Sequence, residues 1–167
     1  MSLLCCCFGT VLGLRDKTLT LTAALPNGAA STTTAAIDLE TLNTSADFLA
    51  NVEFELTVPA LTVTQLADTQ TITYIVETSA TSGFGSVTTL IASLAVSTGA
   101  GGAGDVAVSR RFRLPTNCQR YVRIKATKTG ASAITKRFSI TKTKQGATGV
   151  GAGRREGGAV ARGRPAR

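Results

Sequence analysis

Side chains able to do covalent or metal chemistry are few in this sequence, and their spacing does not suit it. There is no His among the 167 residues, which removes the usual Ser-His and Cys-His pairs. Cys5, Cys6 and Cys7 are consecutive and Cys118 stands alone, whereas a disulfide framework distributes an even set along the chain. Three adjacent thiols cannot converge on one metal without severe backbone distortion, and no imidazole is available to complete a zinc site. Cys118, in the turn Pro115-Thr116-Asn117-Cys118-Gln119, reads as a small buried hydrophobe. The ten acids are scattered, and Glu53 and Glu55 share one outward strand face, where they repel each other. The run Gly99 to Gly104 lacks the Gly-Lys-Ser/Thr ending of a phosphate cradle and is not followed by a helix, so it reads as a plain flexible loop. The expectation is a chain with no catalytic centre, no metal and no cofactor.

The remaining chemistry is charge. The net charge of +8 is unevenly laid out: residues 1–105 carry two basic and nine acidic residues, a net of −7, and residues 106–167 carry sixteen basic residues and one acid, a net of +15. Such a bipolar chain can stack head to tail or grip an acidic neighbour. Arg110, Arg111, Arg113, Arg120, Arg123 and Lys125 could form a patch on adjacent strands. Nucleic-acid binders of β type add aromatic platforms for stacking, and only Phe112 and Tyr121 lie nearby. Protein contacts rank higher, because arginines pair well with carboxylates of a neighbouring subunit. Arg111, Arg113, Arg120 and Arg123 are therefore expected to contact a partner, bridging to acids such as Glu53, Glu55 or Asp47 of another copy or of a different protein.

A period of two dominates from Lys17 onward, with turn residues every ten to fifteen positions, which indicates a sandwich or barrel. Val52, Phe54, Leu56 and Val58 point one way and Glu53, Glu55 and Thr57 the other, and Pro59 ends that strand or places it at an edge. Further strands are expected over Lys17–Ala23, Ala35–Leu39, Gln70–Thr78, Val87–Ala95, Val106–Leu114, Gln119–Thr127 and Ile134–Lys142. In the Val106–Leu114 strand, Val106, Val108, Phe112 and Leu114 share a face with Arg110. Thr41 to Leu49 could carry one helical turn. The fold class is all-β, a jelly roll or related two-sheet antiparallel β-sandwich of about eight strands over residues 17–145, with extended terminal arms.

Residues 1–16 form an apolar N-terminal arm, interrupted by Gly9 and Gly13 and shorter than the roughly 20 residues that span a bilayer. Leu3, Leu4 and Phe8 are expected to dock on a partner. Residues 146–167 turn abruptly to Gly, Ala and Arg, a composition that buries too little apolar surface to order alone. Its Arg154, Arg155, Arg162 and Arg164 are expected to hold a partner as well.

Several runs together resemble the capsid cement, or decoration, proteins of tailed bacteriophages. Ala35-Ala36-Ile37-Asp38-Leu39, a loop, and the alternating Val52–Val58 strand resemble the N-terminal half of that family. Ile72-Thr73-Tyr74-Ile75-Val76-Glu77-Thr78, followed by Ser82 to Val87, looks like its Thr-rich strand, whose glutamate precedes a loop. Arg111-Phe112-Arg113-Leu114-Pro115 and then Arg120-Tyr121-Val122-Arg123 resemble its strand ending in Leu-Pro, a tight turn, and an Arg-Tyr pair opening the next strand. The likeness spans residues 17–142; neither the Cys-rich N-terminus nor the Arg-Gly tail belongs to the pattern. It implies a jelly-roll subunit that oligomerises on the outer surface of an icosahedral virion, clamps neighbouring major capsid proteins, and has neither a small-molecule substrate nor a membrane partner. Two rivals remain: a surface or tail-associated sandwich that binds carbohydrate or another ligand, for which Phe84 on its Gly-flanked loop is the one exposed aromatic candidate, and a basic nucleic-acid-binding module.

Overall fold

The computed structural model describes residues 19–39 and 52–144, with the side chains of 143 and 144 left aside. Among the described residues nine strands form: β1 (Leu19–Ala24), β2 (Ser31–Thr33), β3 (Ile37–Asp38), β4 (Val52–Val58), β5 (Thr71–Ser79), β6 (Thr88–Thr98), β7 (Val108–Phe112), β8 (Tyr121–Lys128) and β9 (Arg137–Lys144). They make one sheet in the order β1-β9-β4-β7 and a second in the order β2-β8-β5-β6, with β3 also on β8. Every pair is antiparallel. The pairs nest: β5 with β6, β4 with β7, β2 and β3 with β8, and β1 with β9. A long hairpin wound once around itself gives this nesting, which is the jelly roll. No helix forms among the described residues.

Sequence alternation and observed faces agree best in the strands that have neighbours on both sides. Val52, Phe54, Leu56 and Val58 of β4, Ile72, Tyr74 and Val76 of β5, Val122, Ile124 and Ala126 of β8, and Phe138 and Ile140 of β9 all point inward and are buried. Phe54 stacks on Phe112 with centroids 5.6 Å apart, and Tyr74 meets Phe138 edge-on at 5.7 Å. Two aromatic pairs thus bridge strands in a core otherwise built of aliphatic residues, adding about 0.5–1.5 kcal/mol each beyond area burial.

Four expectations need correction. The strand expected over Ala35–Leu39 is shorter, and an earlier segment, Ser31–Thr33, also pairs with β8. Thr33 lies opposite Lys125 and Ile37 opposite Val122, so one extra residue bulges out between them. Thr34 is buried there, and its backbone NH and Oγ1 bond the carbonyl and NH of Ile124 at 2.9 and 3.1 Å. Second, Val106 is not in the core but 75% exposed. The neighbouring Asp105 pairs with Leu61 in an isolated bridge, and this holds the chain off the sheet until Val108. Third, β6 runs to Thr98 and lies at the sheet edge with only Leu94 and Ser97 buried, because its register with β5 shifts twice, between Tyr74 and Val76 and between Val76 and Glu77.

The Gly99–Gly104 run, fourth, is not a free loop. Gly99 NH donates to Gln70 O at 2.9 Å, Gly101 NH donates to Asp68 Oδ1 at 3.1 Å, and Leu61 and Asp105 exchange two bonds of 2.8 Å. A Cβ at Gly99 would lie 2.0 Å from Ala67 O, and one at Gly104 would lie 2.1 Å from Leu61 O. The glycines are needed because two backbones touch there. Nearby, the buried Lys128 Nζ donates to Gln65 O at 3.2 Å, to Ser132 Oγ at 2.7 Å and to Ser132 O. Ser132 Oγ in turn lies 2.6 Å from Gln70 Oε1. These bonds tie the β4–β5, β6–β7 and β8–β9 connections together at one end of the sandwich. Thr41–Leu49, where a helical turn was expected, lies outside the described residues.

Candidate interaction surface

The ladder registers fix where the chain enters and leaves the sandwich. Leu19 pairs with Lys142 and Val52 with Lys144, so the start of β1, the start of β4 and the end of β9 lie side by side at one end of the four-stranded sheet. The segments 1–18 and 145–167 join the domain at this end, opposite the cross-tied loops. Leu3, Leu4, Phe8, Arg154, Arg155, Arg162 and Arg164 lie outside the described residues.

The four sheet arginines do not form one patch. Arg111 and Arg113 belong to the edge of the four-stranded sheet, while Arg120 and Arg123 belong to β8 and its approach in the other sheet. They are consecutive in sequence, but in a jelly roll the connection between β7 and β8 crosses from sheet to sheet. Arg111 lies 3.9 Å from Glu53 and 3.7 Å from Glu55. It bridges the two carboxylates that sequence alone leaves repelling one another, and so engages within the chain two of the acids that another copy was expected to use; the third, Asp47, lies outside the described residues. Arg120 grips Asp38 with Nε and Nη2, both at 2.8 Å, and lies 5.1 Å from the Tyr121 ring centroid. Arg123 donates from Nε to Glu77 Oε2 at 2.8 Å, with its Nη2 also 2.8 Å from that oxygen, and Lys125 Nζ stands 3.6 Å from Oε1. Arg113 has an electrostatic or polar partner of its own.

The Glu77 side chain is only 5% exposed although it points to the outer face. The β5–β6 connection folds back over it, placing the Phe84 ring 4.0 Å from the Arg123 guanidinium. Phe84 is buried, so it is not the exposed aromatic that the ligand-binding alternative requires. Sequence reading did not mark Glu77, Asp38 or Lys128 as partners. Glu77 and Arg123 are direct cross-strand neighbours, and that pairing exists only once the register of β5 on β8 is set.

The outer face of the four-stranded sheet carries a patch of hydroxyls beside charged side chains. One cross-strand row reads Thr22, Ser139, Thr57, Ser109, and the next reads Thr20, Thr141, Glu55, Arg111. Thr20 and Thr141 share a hydroxyl bond of 3.1 Å, and Ser109 donates to Glu55. Hydroxyls spaced in this way present donors and acceptors with little side-chain entropy to lose on contact.

Inside the sandwich, the hydroxyls of Tyr74 and Ser97 are buried without a hydrogen-bond partner. Burial pushes the Tyr74 phenol well above its ordinary value, the facing Ser97 hydroxyl partly offsets this, and the Asp105 charge adds to the rise. Cys118 is also buried; burial pushes its thiol up, and the Thr78 hydroxyl at 3.8 Å partly counters the shift. Burial lowers the Lys128 ammonium. Among the described residues no group of three or more His, Cys, Asp or Glu is placed to hold a metal ion, and no helix is long and apolar enough to cross a membrane.

No protein-family model matches this sequence, and no curated protein matches it. Among solved structures, the chain is similar to one from the cowpea mosaic virus top component, described as naturally occurring empty particles. The match is at 9% identity, covers 78% of this chain and 82% of that chain, and has a TM-score of 0.37.

Proposed function

We propose that this chain is a structural virion protein that binds the outer surface of an icosahedral phage capsid and cements neighbouring major capsid proteins, without catalysis. The observation that carries the reading is the hydroxyl-lined face made by Thr22, Ser139, Thr57, Ser109, Thr20 and Thr141. Such a face suits broad contact with another protein and offers nothing that would enclose a small molecule. The packed core and the cross-tied loops make the domain stiff, as a clamp must be. Repetition over many shell sites would multiply weak contacts by avidity. The sequence resemblance to cement proteins points the same way, and the burial of Phe84 under Arg123 takes away the aromatic that favoured a ligand-binding role.

The test is to mix the purified chain with shells assembled from the major capsid protein that is produced beside it, and to image the particles. Ordered density on the outer surface, lost when Thr57 and Ser109 are both replaced by Arg, is the expected result. Bare shells at saturating concentrations of the chain would overturn the reading.

A further inference from the structure

The flank of the sandwich formed by β6 and β7 has two edges, both free among the described residues, that are treated very differently. At β7, Arg110 and Arg111 stand next to each other and are exposed. Charges on an edge strand are a common protection against pairing with another chain, since a second copy would bring Arg opposite Arg. At β6 there is no such protection. The sequence contains no charged residue and no proline from Thr78 through Gly104. β6 is the longest strand, eleven residues, with β5 on one side and no strand on the other among the described residues. Val96 on it and Val87 just before it are 46% and 44% exposed.

We propose that β6 is the edge through which two copies of this chain pair, antiparallel and across a two-fold axis, joining their five-stranded sheets. A two-fold contact sets a surface against itself, so it requires a self-complementary surface. An uncharged, Thr- and Ser-rich strand with an outward valine meets that condition, and an arginine-bearing strand does not. The stretch Ala95–Thr98 keeps regular register with β5 from Tyr74 back to Thr71, which leaves its outer backbone groups in line for a partner strand. The register shifts confine pairing to that half and so fix its alignment. The other two edges are poorer candidates: β2 and β3 are interrupted by the bulge at Thr34, and β1 has only six residues, with its Ala24 carbonyl taken by Thr32 Oγ1 at 2.8 Å.

The experiment uses the full chain. Sedimentation across a concentration series should show reversible dimers. The substitution Val96→Lys places a charge at an exposed position within that half of the edge, and it should weaken dimerisation by at least about tenfold, because like charges set against each other at an interface cost more than one tenfold step. The control Thr116→Lys with Asn117→Lys, at exposed positions in the β7–β8 connection at the opposite end of the sandwich, should leave the dimer unchanged. At a concentration low enough for all three proteins to be monomeric, they should share one denaturation midpoint. A chain that stays monomeric throughout, or a dimer indifferent to Val96→Lys, would overturn the proposal. So would slow amide exchange along β6 in a monomer that becomes fast when residues 1–16 are removed, since the occupant would then be the chain's own N-terminal segment.

Discussion

The Arg123 guanidinium is held between the Phe84 ring, 4.0 Å from its centroid, and the Glu77 carboxylate, 2.8 Å from its nearer nitrogens. Phe84 itself sits at a φ of 52°, a backbone region that a bulky side chain avoids. Ring burial and the cation contact offset that strain. The β5–β6 connection is thereby fastened to the outer face of the sheet, and Arg123 acts first as a structural pin whatever it later contacts.

Arg123→Ala should therefore destabilise the domain by about 1.5–3 kcal/mol, the usual cost of losing hydrogen bonds to a charged group, with Lys125 keeping part of the charge balance. Arg120→Ala should cost only about 0–1 kcal/mol, because the Arg120–Asp38 pair is open to solvent. Urea denaturation of the two variants separates the cases. Equal midpoints would show that the Glu77 carboxylate is relieved in another way.

The glycine run gives a second contrast. Gly99→Ala should cost about 1–3 kcal/mol from overpacking against Ala67 O. Gly104→Ala should cost more, since its φ of +76° adds backbone strain to the clash with Leu61 O. Gly83→Ala, with open space at its Cβ and a φ outside the left-handed region, should be close to neutral. Thermal melts of the three variants decide the order, and a neutral Gly99→Ala would mean that the two connections do not touch.

What the sequence made legible follows from how many neighbours each strand has. β4, β5, β8 and β9 are flanked on both sides, and there a period of two has to match the pleat, so Val52 to Val58 or Val122 to Ala126 declare their faces at once. At the edges the rule loosens: β6 slips register twice, and Val106 leaves the sheet because Asp105 is drawn to Leu61. The candidate surface was harder to read. Arginines adjacent in sequence went to different sheets, and Arg123 found Glu77 46 residues away, a pairing set by topology that no local pattern encodes.

Tyr74 gives a pH-dependent prediction. Its folded-state pKa lies above the ordinary value of 10.0, so above about pH 10 the unfolded chain releases a proton that the folded chain retains, and stability falls as pH rises. Tyr74→Phe removes this titration along with a buried hydroxyl that lacks a partner. The stability difference between variant and parent should be flat below about pH 10 and should move in favour of Phe above it. Taking the difference cancels the opposing contributions of Cys118, whose raised pKa lowers stability at alkaline pH, and of Lys128, whose lowered pKa raises stability as pH climbs toward 10.5. A difference that is independent of pH up to 11 would show that the phenol is not desolvated.

The two terminal segments meet the domain beside one another, at Leu19 and Lys144, and their chemistry is opposite. Residues 1–16 bring Leu3, Leu4, Phe8, Val11 and Leu12, whereas residues 146–167 bring Arg154, Arg155, Arg162, Arg164 and Arg167. If both act as tethers to a shell, they respond to salt differently, because added ions screen charge attraction and leave apolar burial intact or strengthened. Deleting 146–167 should flatten the fall of particle occupancy with rising salt. Deleting 1–16 should reduce occupancy by a similar factor at every salt concentration. Each deletion should keep the denaturation midpoint of the full chain, since the cross-tied loops and the core lie elsewhere. Occupancy as high as that of the full chain for both deletions, from low to high salt, would remove the segments from the contact and leave the sheet face as the whole of it.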